Sequence, residues 1–142
     1  MELFESKKTK GIKSHIANLV AIAQSDGKFS VAEKKLVFEI GERNGITKEK
    51  VKKIIKSDKP IKFKVPVNDS DRFDRLYDLV EMVLADGIKT ENEMDALIEI
   101  AEKLEFRKAI VGVLVNKIIR GIEDPEKTKE VVRIECGQFL NF

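Results

Sequence analysis

The feature that most constrains this chain is that it repeats itself at an offset of 60 residues. Leu19, Val20, Asp26, Gly27 and Glu33 recur as Leu79, Val80, Asp86, Gly87 and Glu93. Ser30 returns as Thr90, and Ile40 as Ile100. An internal repeat dictates architecture before any local reading does. Two copies are too few to stack into a solenoid, so they are expected to pair about a pseudo-twofold axis. The copies span about residues 10–56 and 70–122 of one domain covering 1–142, a usual size for a single core.

Each copy has the same local grammar. Ile12, Ile16, Leu19, Val20 and Ala23 fall on one face of a first helix. Phe73, Leu76, Tyr77, Val80, Val83 and Leu84 do so in the second copy. Asp-Gly then ends the helix, because glycine tolerates the left-handed conformation found at helix ends. Ser30 with Glu33, and Thr90 with Glu93, stand at the N-cap and N3 positions of capping boxes. The second helices carry Leu36, Val37 and Ile40, and Met94, Leu97, Ile98, Ala101 and Leu104.

Beyond Asn44-Gly45, Thr47 caps a short lysine-rich helix with Val51, Ile54 and Ile55 inward. From Ser57 to Ser70 the apolar residues alternate at Ile61, Phe63, Val65 and Val67, a period of two. With no partner strand at hand, that segment reads as an extended linker laid along the bundle. Residues 106–122 are β-branched enough for a strand, but Ile110, Leu114, Ile118 and Ile122 keep helical spacing, and the helical context decides for a buried helix. Asp124-Pro125 suits the N-cap and N1 of a last helix with Val131, Val132 and Ile134, followed by the apolar tail Phe139 to Phe142. The fold class expected is therefore all-α: about seven helices, with two helix–loop–helix repeats packed as one bundle.

The paired Asp-Gly…Glu pattern, in Leu19 to Glu33 and again in Leu79 to Glu93, resembles the tellurite-resistance TerB-like family. The stop at Asn44-Gly45-Ile46 and the Phe63…Pro66 linker look like it too, so the resemblance covers roughly residues 10–120. It implies an all-α fold of about seven helices in two pseudo-symmetric halves. It also implies a role in bacterial tellurite resistance or stress response. The family's domain also occurs joined to a J-domain in a membrane-anchored co-chaperone. The family's acidic positions, which are suspected metal ligands, would correspond to Asp26, Glu33, Asp86 and Glu93.

Read from the residues alone, those carboxylates form the best candidate site. In each copy Asp precedes Glu by seven residues across a tight loop, so both carboxylates can face one small volume. If the loops of the two copies meet, Asp26, Glu33, Asp86 and Glu93 would suit a hard divalent cation such as Ca²⁺ or Mg²⁺, with Glu91 as a fifth donor. The alternative is that they serve only the fold: Asp before Gly is turn chemistry, and Glu at N3 reaches back to the N-cap amide. Neither loop follows the calcium-binding pattern of an EF-hand.

Other chemistries find little support. His15 is the only histidine and Cys136 the only cysteine. A tetrahedral zinc site of the usual ligands is thereby nearly excluded, as is an intrachain disulfide. His15 lies beside the apolar stripe of the first helix and reads as a half-buried structural residue; Cys136 reads as packing. No nucleophile–base pair, catalytic residue or phosphate loop can be assigned, so an enzyme is not expected.

Charge is sorted along the chain: residues 1–64 carry 16 Lys and Arg against 8 Asp and Glu, whereas residues 69–105 carry 4 against 12. A molecule with one basic and one acidic region can be steered toward charged partners or toward a second copy of itself. The basic excess peaks at Lys48, Lys50, Lys52, Lys53 and Lys56, continued by Lys59, Lys62 and Lys64, an interaction patch that could meet phosphate, an anionic membrane surface or an unidentified protein partner. Phe63 is the only aromatic nearby, so nucleic acid is not expected. No signal peptide precedes the first helix, and no apolar run reaches the ~20 residues a membrane span needs; a cytoplasmic location is the expectation. The second functional reading is thus a metal-free protein-interaction adaptor.

Overall fold

The structure, a computed structural model, describes residues 6–25, 27–57, 59–87 and 90–140. These residues form seven helices: α1 Lys7–Gln24, α2 Val31–Arg43, α3 Lys48–Lys56, α4 Asp69–Leu84, α5 Glu91–Lys103, α6 Lys108–Glu123 and α7 Lys129–Leu140. No strand occurs among the described residues, and no helix among them is long and apolar enough to cross a membrane.

The helix ends keep the 60-residue register. α1 and α4 end at Gln24 and Leu84, α2 and α5 are both 13 residues long, and α3 and α6 begin at Lys48 and Lys108. The chain leaves α1 and α4 through Gly27 and Gly87, at φ +83° and +77°, where a Cβ would be strained. The loops after α2 and α5 use the left-handed region again, at Gly45 and at Glu105 (φ 68°).

α1 and α4 form the centre. They pack on each other, and each also touches the second helix of the opposite half, α1 on α5 and α4 on α2. Ile16, Leu19, Phe73, Leu76 and Val80 on these two helices are sealed from water. Each such side chain contributes roughly 1.5–3 kcal/mol of transfer free energy. Arg72 ties α4 to the end of α5. Its Nη1 donates to the carbonyls of Leu104 (3.2 Å) and Glu105 (3.1 Å), and its guanidinium lies over the Phe106 ring. These are carbonyls a helix C-terminus leaves without an internal partner.

Several sequence expectations need correction. The buried stripe of α6 is Val111, Leu114, Val115, Ile118 and Ile119; Ile110 and Ile122 sit at its edge, half-buried, because the face is wider than one i, i+4 row. Asp124-Pro125 does not start the last helix. Asp124 is the C-cap of α6, and its Oδ1 accepts from the Glu126 amide in a turn, while the Thr128 hydroxyl accepts from Val131 N at the head of α7. α7 buries Val132 and Cys136, leaving Val131 and Ile134 exposed. Its docking is polar as well: Arg133 donates to Asp74 Oδ1 (2.7 Å) and to Ser70 Oγ (2.8 Å), and covers the Phe73 ring. Ser70 lies inside α4, capped by Asn68, so the linker is two residues shorter than its composition suggests. In the tail, Phe139 packs partly against the core; Asn141 and Phe142 lie outside the described residues. The linker does run along the bundle without pairing as a strand, held by the Lys64 amide donating to the buried Ser14 hydroxyl (3.0 Å).

Candidate functional site

Both capping boxes form. Ser30 Oγ accepts from Glu33 N at 3.1 Å, and Ser30 N donates to Glu33 Oε1 at 2.8 Å. In the second copy Thr90 Oγ1 accepts from Glu93 N at 3.1 Å, and both the hydroxyl (2.9 Å) and amide (3.4 Å) of Thr90 donate to Glu93 Oε1. A cap of this kind ordinarily leaves its glutamate in water. Here both are buried, Glu33 at 2% exposed and Glu93 at 1%.

The reason is that they face each other. α2 and α5 do not pack along their lengths, so the two long side chains come together only at their carboxyls, close enough for a proton to be shared. Two carboxylates have only acceptors, so a bond between them needs one proton. Burial first, then the neighbouring Glu33, push the Glu93 carboxyl up to about 7; the Thr90 hydroxyl pulls the other way. With the proton gone, the pair is two buried like charges, and Glu93 Oε2 has no donor. That orphan oxygen is the group a cation or a proton must satisfy.

Of the four acidic positions singled out in the sequence, Glu33 and Glu93 are thus brought together. Asp86 is exposed on the loop after α4, and Asp26 lies outside the described residues. Among the described residues no group of three or more His, Cys, Asp or Glu side chains gathers as a metal cage. The Glu33–Glu93 pair nevertheless fits a hard divalent ion in its donor chemistry, with two buried carboxylates and an unsatisfied oxygen.

A second polar feature was not foreseen. His15 is not half-buried but sealed in the core at 2% exposed, where its Nε2 meets Asp78 Oδ2 at 2.9 Å. Burial lowers the imidazole pKa despite the carboxylate, so the ring is neutral and donates its Nε2 proton. Asp78 Oδ1 is left unpartnered at the floor of a cleft of about 300 Å³ that Arg43, Asp71, Asp74, Arg75 and Lys129 also line. The signal was available in the sequence. Asp71, Asp74 and Asp78 share one face of α4 at i, i+3 and i+7, beside the apolar stripe. Cys136 is buried and unbridged, with its thiol pushed up by burial.

The lysine patch is split by helix geometry. Lys50 and Lys53 turn toward α1 and the linker, whereas Lys48, Lys52 and Lys56, at i+4 intervals, are exposed on another face of α3.

Comparison of the chain with protein-family models, with curated proteins and with solved structures gives no match.

Proposed function

We propose that the chain is an accessory module of the tellurite-resistance TerB type that binds a divalent cation between its two capping boxes. One observation carries the reading: Glu33 and Glu93 meet in a buried pair whose Glu93 Oε2 has no donor. A purely structural cap needs neither the burial nor the encounter, because a solvated glutamate satisfies an N-cap amide equally well. Asp86, exposed on its loop, and Asp26 are the further carboxylates that such an ion would recruit.

The test is a thermal-unfolding titration of chelator-treated protein with Ca²⁺, Mg²⁺ and Mn²⁺ at pH 8. An ion at 100 times its dissociation constant stabilises the fold by about 2.7 kcal/mol. A saturable rise is expected in the wild type and none in Glu33→Gln/Glu93→Gln. Asp26→Asn/Asp86→Asn reports whether the loops add ligands. A flat response at millimolar ion, or an unchanged response in the glutamate variant, refutes the reading.

A second reading, a metal-free protein-interaction adaptor, is favoured by one surface. Glu91, Asp95, Glu99 and Glu102 stand exposed along one side of α5, where Glu99 meets Lys103 only at a long 3.7 Å. Such a stripe suits a basic partner. A pull-down at low salt that recovers a partner from wild type but not from Asp95→Asn/Glu99→Gln/Glu102→Gln would favour it, and no recovery from wild type would count against it.

A further inference from the structure

α1, α3 and the extended linker enclose a groove of about 560 Å³. Lys10 and Lys13 enter it from α1, Lys50 and Lys53 from α3, and Lys62 and Lys64 from the linker; among the described lining residues there is no carboxylate. The six fall into two tiers. Lys13, Lys50 and Lys64 are half-buried, and Lys10, Lys53 and Lys62 stand exposed at the rim. Ile54 and Ile61 supply an apolar patch, and Ser57 a hydroxyl. The linker wall is fixed in place by the Lys64 amide on Ser14.

Helix periodicity selects which lysines belong. Lys50, Lys53, Ile54 and Ser57 follow one another at i, i+3, i+4 and i+7, so α3 turns a single face inward. Six lysines around one hollow give it a positive potential that draws anions. Lysine is a point-charge donor that suits phosphate oxygens without demanding the planar fork of a guanidinium site. The volume lies within the range of small-molecule sites, roughly 300–1,000 Å³.

We propose that this groove binds a compact soluble polyphosphate of the nucleoside triphosphate class. The phosphates would lie among the lysines and the nucleoside against Ile54 and Ile61. Two observations favour a compact ligand over a nucleic-acid strand. Among the described lining residues there is no aromatic ring for base stacking. Beyond Lys10 and Lys64 the next hollow adds Lys7, Lys8 and Arg75 but also the Asp71 carboxylate and the apolar wall Val65-Pro66-Val67, so its described lining is no longer all-cationic. The proposal is independent of any cation at Glu33 and Glu93.

Calorimetric titration of the full chain with ATP, inorganic triphosphate and AMP, in chelator and at about 0.15 M salt, tests it. ATP and triphosphate should bind, and AMP at least tenfold more weakly. Lys13→Gln/Lys50→Gln/Lys64→Gln should weaken ATP at least tenfold. Lys48→Gln/Lys52→Gln/Lys56→Gln, which removes equal charge outside the groove, should weaken it less than threefold. Equal losses in the two variants, or AMP binding as well as ATP, overturn the proposal. So does tighter binding to a single-stranded oligonucleotide or to anionic vesicles than to ATP. Amide chemical-shift changes on wild-type protein give a readout that needs no variant: they should centre on Ile54, Ser57 and Ile61, and their absence there on ATP addition is equally fatal.

Discussion

Replacing Glu93 by glutamine separates what the proton does at the paired caps from what the cap itself does. In the unfolded chain this carboxyl titrates near 4.5, and in the fold at about 7. Because the folded value is raised, the proton stabilises the fold. That stability is fully present below pH 4.5, and it is lost as pH climbs through about 7. A shift of that size corresponds to about 3 kcal/mol, of which the coupled pair should show about 2–3 kcal/mol between pH 5 and 8. Glutamine keeps the Oε1 acceptor that Thr90 uses, and its amide can donate toward Glu33 as the shared proton does. Urea unfolding in chelator should therefore find Glu93→Gln about 2–3 kcal/mol more stable than wild type at pH 8, with the two converging near pH 5. His15, whose lowered pKa favours the neutral ring and the opposite slope, and Glu81, raised first by burial, titrate in both proteins and cancel in the difference. Calcium added to wild type at pH 8 should recover much of the deficit, since it takes the proton's place. A variant less stable than wild type at pH 8, or a difference independent of pH, refutes the reasoning.

Four further outcomes follow from the packing. Glu105→Gly should stabilise the fold by about 0.5–1 kcal/mol in chemical denaturation, because only glycine adopts φ 68° freely and the carbonyl that Arg72 uses is retained. Gly121→Ala should cost about 1–3 kcal/mol, since the new Cβ would stand 2.4 Å from Val132 Cγ2 and force α7 off α6. Asp78→Ala should cost about 2–3 kcal/mol by leaving the buried His15 Nε2–H without an acceptor; equal stability in urea would mean that the ring finds another partner. Arg133→Ala should raise hydrogen exchange throughout α7 more than in α1 or α4, because that guanidinium joins α7 to Ser70, Asp74 and Phe73.

The helices were legible because their signals are local. Ser30, Thr47 and Thr90 each cap the helix they precede, and Gly27 and Gly87 mark turns only a flexible backbone makes. Failures came where two local signals compete or where tertiary contact decides. Asp124 before Pro125 reads as an N-cap, yet the same side chain serves a turn, and Thr128 four residues on takes the helix. The α6 stripe and the exposure of Val131 and Ile134 depend on where α7 docks, and that docking is set by Arg133 and the missing side chain at Gly121. No period within α7 encodes it.

The same distinction explains the site. That Glu33 and Glu93 cap their helices is written in three-residue spacings; that they meet is not, because α2 and α5 share no packed face. Their encounter is tertiary, set by the packing of α1 against α5 and of α4 against α2. Repetition then has a chemical consequence. Two unlike caps would meet as a donor and an acceptor and satisfy one another. Two like caps meet as acceptor and acceptor, so the arrangement itself creates a buried demand for a positive charge. A proton meets that demand at low pH, and it must come from elsewhere once the pH exceeds about 7. Glutamine at either position would remove that demand and keep the cap, since a capping box accepts both.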